Sequence, residues 1–149
     1  MSIANVFNIA GMGMSAQTIR LNTVASNIAN AETLAPSAEA AYKARFPVFM
    51  ARAAKSQTLL NGKEAGLKLN TDSTMGVMVS EIVESNAPAE QRYMPDHPLA
   101  NEDGYVFASN VNTVEEMADM ISASRSFQMN VEMANTAKSM MQRLLTLGQ

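Results

Sequence analysis

Ile3, Phe7, Ala10, Met14, Gln17, Leu21, Val24, Ile28 and Ala31 follow one another in alternating steps of four and three residues. That rhythm puts every one of them on a single stripe of a helix, the heptad spacing of helices that pair. It predicts a helix through the first thirty residues, roughly 40 Å long at 1.5 Å per residue. Gln17 is the one polar member of the stripe. Gly11 and Gly13 lie inside the run, each costing about 1 kcal/mol against alanine, so this helix is well patterned and intrinsically weak.

The far end of the chain repeats the pattern. Met117, Met120, Ser124, Phe127, Val131, Ala134, Lys138, Met141 and Leu145 keep the same steps, and Ile121 and Leu144 widen the stripe. Thr113 with Glu116 three residues on reads as a capping box, which sets the helix start near Val114. Gly148 suits a C-terminal stop. If the two stripes meet antiparallel with Ile3 near Leu145, Gln17 falls opposite Val131, Val24 opposite Ser124, and Ala10 opposite Lys138, whose long stem could lie flat over the small residue.

Between the helices the period changes. Residues 42–50 alternate Tyr42, Ala44, Phe46, Val48 and Met50 on one side, as an edge strand containing Pro47 would. Residues 76–84 form a second β-rich run, and Arg92–Met94 and Gly104–Phe107 flank the turn-rich "PDHPLANED". Residues 53–74 lack periodicity and read as a mobile loop. The expectation is a mainly α chain: a helix over 1–33, a β-rich middle over 34–112, and a helix over 113–149, the helices forming a coiled-coil-like pair.

Composition narrows what such a chain can do. It has 149 residues with thirteen Met, no Trp and 5% aromatics, so its core should draw on Met, Leu, Ile, Val and Ala. Net charge is −3 and the basic residues are scattered, which leaves no stripe to follow a phosphate backbone and argues against a nucleic-acid partner. Without Cys there is no disulfide framework, thiolate nucleophile or Cys-based zinc site. No basic residue precedes Arg20, and Asn5 and Asn8 interrupt the stretch where a leader would be apolar, so no secretory signal is read. No run reaches the roughly 18 apolar residues that span a bilayer.

Catalytic chemistry finds no foothold. His97 and Asp96 are neighbours in a proline-bracketed turn, where adjacent side chains rarely converge on one substrate atom. Glu81 and Glu84 have an odd spacing in a strand and point to opposite faces. Gly11 and Gly13 follow no strand and make no phosphate loop. No catalytic, metal or cofactor-binding residue is assigned. The first helix carries only Arg20 as a cation, so association with other helices fits better than lying on a membrane.

The stretch "LNTVASNIANAET" (21–33) crowds Asn22, Ser26, Asn27 and Asn30 around the stripe, although Asn and Ser compete with helical backbone bonds. Followed by "AYKARF", it resembles the bacterial flagellar axial proteins, the family of rod, hook and filament-junction subunits. Ser26, Asn27, Ala29, Asn30 and Thr33 carry the first part of the motif, and Tyr42 and Lys43 the second. "YMPDHPLANEDGYV" and the C-terminal stretch to "LLTLGQ" are similar to its proximal rod members, whereas "LAPSAEAA" (34–41) departs from the more glycine- or aspartate-rich turn of the family. The resemblance implies a structural subunit that leaves the cytoplasm through the flagellar export apparatus without a cleaved leader. It would then polymerise in the periplasm with copies of itself and other rod proteins into a shaft that transmits torque to the hook.

In such a polymer, Asn22, Ser26, Asn27 and Asn30 are expected to set register and turn, since a misaligned amide is left unpaired at about 1–3 kcal/mol. Asn30 suits a left-handed helix cap. The expected assembly surface is Ile3, Phe7, Met14, Gln17, Leu21, Val24, Ser26, Asn27, Ile28 and Asn30 on the first helix. On the second it is Met117, Met120, Ser124, Phe127, Val131, Met141 and Leu145. The rival expectation is a soluble helical adaptor or export chaperone that grips one partner helix through the same stripes.

Overall fold

The computed structural model describes residues 3–52 and 76–147. Two long helices dominate: α1, Ile3–Asn30, and α2, Thr113–Leu147. Among the described residues five short strands lie between them in sequence: β1 (Leu34–Ala35), β2 (Arg45–Arg52), β3 (Gly76–Glu84), β4 (Glu90–Tyr93) and β5 (Tyr105–Ala108). All pairings are antiparallel. β5 is the centre of a three-stranded sheet, with β1 on one side and β4 on the other. β2 and β3 make a separate two-stranded sheet that leans on α1. The expected mobile loop at 53–74 and the Gly148 stop lie outside the described residues.

The helices pack along each other in opposite directions. Gly13 lies against Asn130, Arg20 pairs with Asp119 at 2.9 Å, and Asn27 bonds Glu116 at 2.9 Å, so partners descend along α2 as residues ascend along α1. Small side chains make this seam. Ala10, Gly13, Ala16 and Thr23 are buried on α1, and Ala123, Ala134 and Ala137 on α2.

The seam differs from the expected one in its α2 face and in its register. On α2 the expected Ala134 is buried, but the inner stripe otherwise runs through Glu116, Ala123, Asn130 and Ala137, one residue round from the expected Met117, Ser124, Val131 and Lys138. Lys138 and Met117 are exposed. The seam selects residues small enough to let two backbones approach, not the largest apolar ones. The register moves with it. Carried along from Ile3 opposite Leu145, the stripes would set Gly13 opposite Asn135 and Asn27 opposite Ile121. They meet Asn130 and Glu116 instead, five residues earlier in each case, and Lys138 does not cover Ala10.

The helix ends also differ in detail. Asn112, not Thr113, caps α2: its Oδ1 accepts the Val114 N–H at 3.1 Å and its carbonyl the Glu116 N–H at 3.0 Å. Glu116 is drawn away from any capping box by Asn27. Asn30 is not a left-handed cap, since no described residue other than Gly104 has positive φ. It closes α1 by donating from Nδ2 to the Ser26 carbonyl at 2.8 Å, while the Thr33 hydroxyl donates to the Asn30 carbonyl at 2.7 Å.

The departing stretch after α1 forms β1, which pairs Leu34 with Ala108, and a turn closed by Ala41 N–H to Ser37 carbonyl. Asn101 organises the turn before β5: its Oδ1 accepts from the N–H groups of Asp103 and Tyr105, and Gly104 takes φ +80°. A side chain at Gly104 would be strained by that φ and crowded by Tyr93 and Pro95.

Candidate functional site

The core is built almost wholly of alanine. Ten of the twelve buried apolar residues among those described are Ala, the others Val24 and Val106, and the largest fully buried side chains are Val106 and Asn27. Of the five residue types expected in the core, Ala and Val are there, while no Met, Leu or Ile among the described residues is fully buried. Burying a Leu, Ile or Met fully is worth about 1.5–3 kcal/mol; here Ile3, Met14, Leu21, Ile28 and Met120 are half-buried and realise only part of it.

Many of the large apolar side chains are exposed, in two regions. Along α2, Met117, Ile121, Met129, Met133, Met140, Met141, Leu144 and Leu145 are exposed, Leu145 at 68%. Toward the start of α1, Ile3 and Val6 join Met129, Met133, Ala137 and Met140 in an open groove of about 540 Å³, with Glu132 and Thr136 at its wall. The second surface is the β2–β3 sheet, where Phe46, Val48, Phe49, Met50, Met78, Ile82 and Val83 are all exposed. The register slips between Val48 and Phe49, whose partners are Glu81 and Val79, leaving Ser80 as the bulged residue.

The asparagine-rich stretch builds a different site, at the junction of α1, the segment entering β2, and the first turn of α2. Asn27 is 0% exposed and uses all four of its hydrogen-bonding positions. Its Nδ2 donates to the Arg45 carbonyl at 2.8 Å and to Glu116 Oε1 at 2.9 Å. Its Oδ1 accepts from the Arg45 N–H and from the Tyr42 hydroxyl, both at 3.0 Å. The Arg45 backbone needs an acceptor and a donor in that order, which fixes the orientation of the amide. With the Tyr42 proton committed to Asn27, the Ser26 hydroxyl at 3.3 Å is the donor to the phenol oxygen. Ser26, Asn27 and Tyr42, from the two halves of the recognised motif, thus meet in space; Lys43 is exposed.

Glu116 completes the junction and is 4% exposed. Oε1 is held by Asn27, but Oε2 is buried without a partner. Burial pushes this carboxyl above the usual glutamate range, against the Asn27 hydrogen bond; the charges of Asp119 and Glu115 add to the rise and that of Arg20 opposes it. Asn110 plays a parallel part nearby, accepting the Ala44 N–H at 2.7 Å and donating to the Ala87 carbonyl at 2.8 Å. From the sequence Glu116 reads only as a capping-box residue and Asn110 carries no signal, since their partners Asn27, Ala44 and Ala87 are distant in the chain.

The other expected assembly residues are divided by the fold. Val24 is buried in the helix seam with Asn27; Ile3, Met14, Gln17, Leu21, Ser26, Ile28, Asn30, Met120, Ser124, Phe127 and Val131 are half-buried. Phe7, Met117, Met141 and Leu145 are exposed. Gln17 Oε1 is buried without a partner. Asn22 is exposed.

His97 holds a turn: its Nδ1 accepts the Leu99 N–H at 3.1 Å, and its backbone joins Met94 and Ala100. Glu84 is taken by Arg45 at 3.1 Å. Among the described residues no group of three His, Cys, Asp or Glu is placed to hold a metal, and no helix is long and apolar enough to cross a membrane.

Comparison with known proteins agrees with this architecture at both ends. Residues 7–34, most of α1 and the turn after it, match the family model described as flagella basal body rod protein. Residues 102–147, covering β5 and α2, match the one described as flagellar basal body rod FlgEFG protein C-terminal. Over its full length the chain is 43% identical to the flagellar basal-body rod protein FlgC of Salmonella typhimurium, with all of both chains covered. It is 40% identical to that of Buchnera aphidicola from Acyrthosiphon pisum, again over all of both chains. It is 33% identical to that of Borreliella burgdorferi, covering all of this chain and 99% of the relative. With a helix at each end, an asparagine-held junction between them and this identity from end to end, the chain belongs to the FlgC family of flagellar basal-body rod proteins.

Proposed function

We propose that the chain is a structural subunit of the proximal rod of the bacterial flagellum. It joins copies of itself and other rod proteins in a shaft that carries torque from the membrane ring to the hook. The observation that carries this reading is the placement of the large apolar side chains. The chain's own fold is closed by alanine, while Met, Leu, Ile and Phe stand outside along α2 and on the β2–β3 sheet. Exposed apolar area on this scale marks a surface meant for other protein, and adaptable Met side chains suit a subunit whose neighbours differ.

In this reading α1 and α2 form the inner, coiled-coil-like layer of the shaft. The exposed stripe of α2 and the groove beside Ile3 receive the helices of neighbours, and the β2–β3 sheet makes contacts further out. The subunit reaches the periplasm through the flagellar export apparatus. In this reading the chain's role is structural, and of the side chains weighed for catalysis His97 holds a turn and Glu84 pairs with Arg45. The test is complementation of a strain lacking its FlgC gene. The intact chain should restore rods and swimming. A chain with Met129, Met133 and Leu145 changed to Ser should be exported yet absent from purified basal bodies. Rods built normally by that variant would refute the assignment of the α2 stripe.

A further inference from the structure

The least expected group in the junction is the Glu116 carboxyl. It is buried among three elements, and its one hydrogen bond comes from Asn27 Nδ2 to Oε1. Oε2 has none. The charged and titratable groups around it offer little to an anion. From α1 the nearest cation is Arg20, whose guanidinium is committed to Asp119 at 2.9 Å. From α2 itself come two further negative charges, Glu115 and Asp119. From the segment entering β2, the Tyr42 hydroxyl is spent on Asn27 and the Arg45 guanidinium on Glu84. No ion pair to Glu116 exists among the described residues.

We infer that Glu116 and Asn27 form a proton-operated latch between the first turn of α2 and the end of α1. In the latched state the proton sits on Oε2 and the carbonyl-like Oε1 accepts from the Asn27 amide; the neutral acid leaves one hydroxyl unpaired, a smaller cost in a dry junction than an unpaired charge. When Glu116 loses its proton to solvent, a carboxylate with one unpartnered oxygen remains, and it regains hydration only if the first turn of α2 moves off α1. Asn27 is the relay. Its Oδ1 holds the Arg45 N–H and the Tyr42 hydroxyl, so a shift at Glu116 loosens the entry to β2 as well as the helix pair.

The direction follows from the balance of protons. The folded junction binds a proton that the open one releases at ordinary glutamate pH, so the latch is fully closed below that range. It weakens as pH rises, until Glu116 is ionised in the closed form too. Over that window the equilibrium for opening shifts by up to tenfold per pH unit.

Amide hydrogen exchange of the full chain, followed at the Arg45 N–H and corrected for intrinsic exchange, measures this opening. Protection at Arg45 should fall as pH rises from 4 toward neutrality, while Glu116→Gln, which keeps the acceptor for Asn27 and cannot ionise, should show constant protection. The second measurement is the Glu116 side-chain carboxyl carbon shift across the same pH range in the unmodified chain, which needs no variant to fold. It should titrate above the ordinary glutamate range together with the Arg45 protection. A carboxyl that titrates as an ordinary glutamate, or a Gln variant whose protection falls with pH as the parent's does, would overturn the latch.

Discussion

Asn27 and Arg45 are joined by two hydrogen bonds, carboxamide to backbone, at 2.8 and 3.0 Å. The side chain of a helix residue thereby stands in for one strand residue and fixes where the chain re-enters the fold. Its remaining bonds reach Tyr42 and Glu116, so one amide sets the relative position of α1, β2 and α2. The register role anticipated for Asn27 between subunits is played, in this structure, between elements of a single chain.

Replacing Asn27 by Leu should therefore destabilise the chain. Helix propensity alone favours Leu and suggests a gain in helicity. Against that gain, the substitution strands the Arg45 N–H and carbonyl, the Tyr42 hydroxyl and Glu116 in a buried site, each at about 1–3 kcal/mol if no water reaches it. A net loss of roughly 3–5 kcal/mol is expected. Urea unfolding followed by circular dichroism checks it, and a midpoint at or above the parent's would contradict the junction's role.

Tyr42→Phe removes one donor and one acceptor from the rim of the same network, leaving Asn27 with three of its bonds. The expected loss is about 0.5–1.5 kcal/mol. A double variant with Ser26→Ala, measured in the same unfolding assay, should cost little more than Tyr42→Phe alone, because the Ser26 hydroxyl reaches the network only through Tyr42.

Gly11 and Gly13 have the same propensity cost but different surroundings. A methyl at Gly11 would meet nothing within 4 Å, so Gly11→Ala should stabilise α1 by about 1 kcal/mol. A methyl at Gly13 would stand 2.7–2.9 Å from the whole Asn130 carboxamide, itself held by its bond to the Ser126 carbonyl. Gly13→Ala should therefore cost about 1–2 kcal/mol in spite of its better propensity. Thermal melts of the two single variants should move in opposite directions.

These cases show what one-dimensional pattern carries and where it stops. The existence of both helices and of β2, β3, β4 and β5 is legible because each has its own period or turn residues. The two-residue β1 is not, since Leu34 and Ala35 have no period of their own. The α2 seam is misread by one residue because the stripe of large apolar side chains, Met117 to Leu145, is the conspicuous one. The residues that pair with α1, Ala123, Asn130 and Ala137, are small or polar and carry no such signal. Asn112 is as good a cap as Thr113, and nothing local chooses between them. Glu116 looks like a capping-box residue until Asn27, 89 positions away, claims it.

The helix register has a direct chemical check, since the chain has no native Cys. Cysteines at Gly13 and Asn130 should form a disulfide within one chain, and cysteines at Ala10 and Lys138 should not, because a disulfide needs Cα atoms within about 7 Å. Electrophoresis without reductant on dilute protein separates intrachain from interchain products. A crosslink at Ala10–Lys138 alone would restore the register that the apolar stripes suggest.

The most direct test of the central claim, that the apolar surface outside the alanine core is the surface that assembly buries, is labelling of single cysteines by a water-soluble maleimide. Met133→Cys and Leu145→Cys on α2, with Lys43→Cys as a polar comparison, would each be labelled in dilute purified chain and in isolated basal bodies. Met133→Cys and Leu145→Cys should be labelled rapidly in the free chain and strongly protected in the rod. Labelling of both at the same rate in free chain and rod would contradict it.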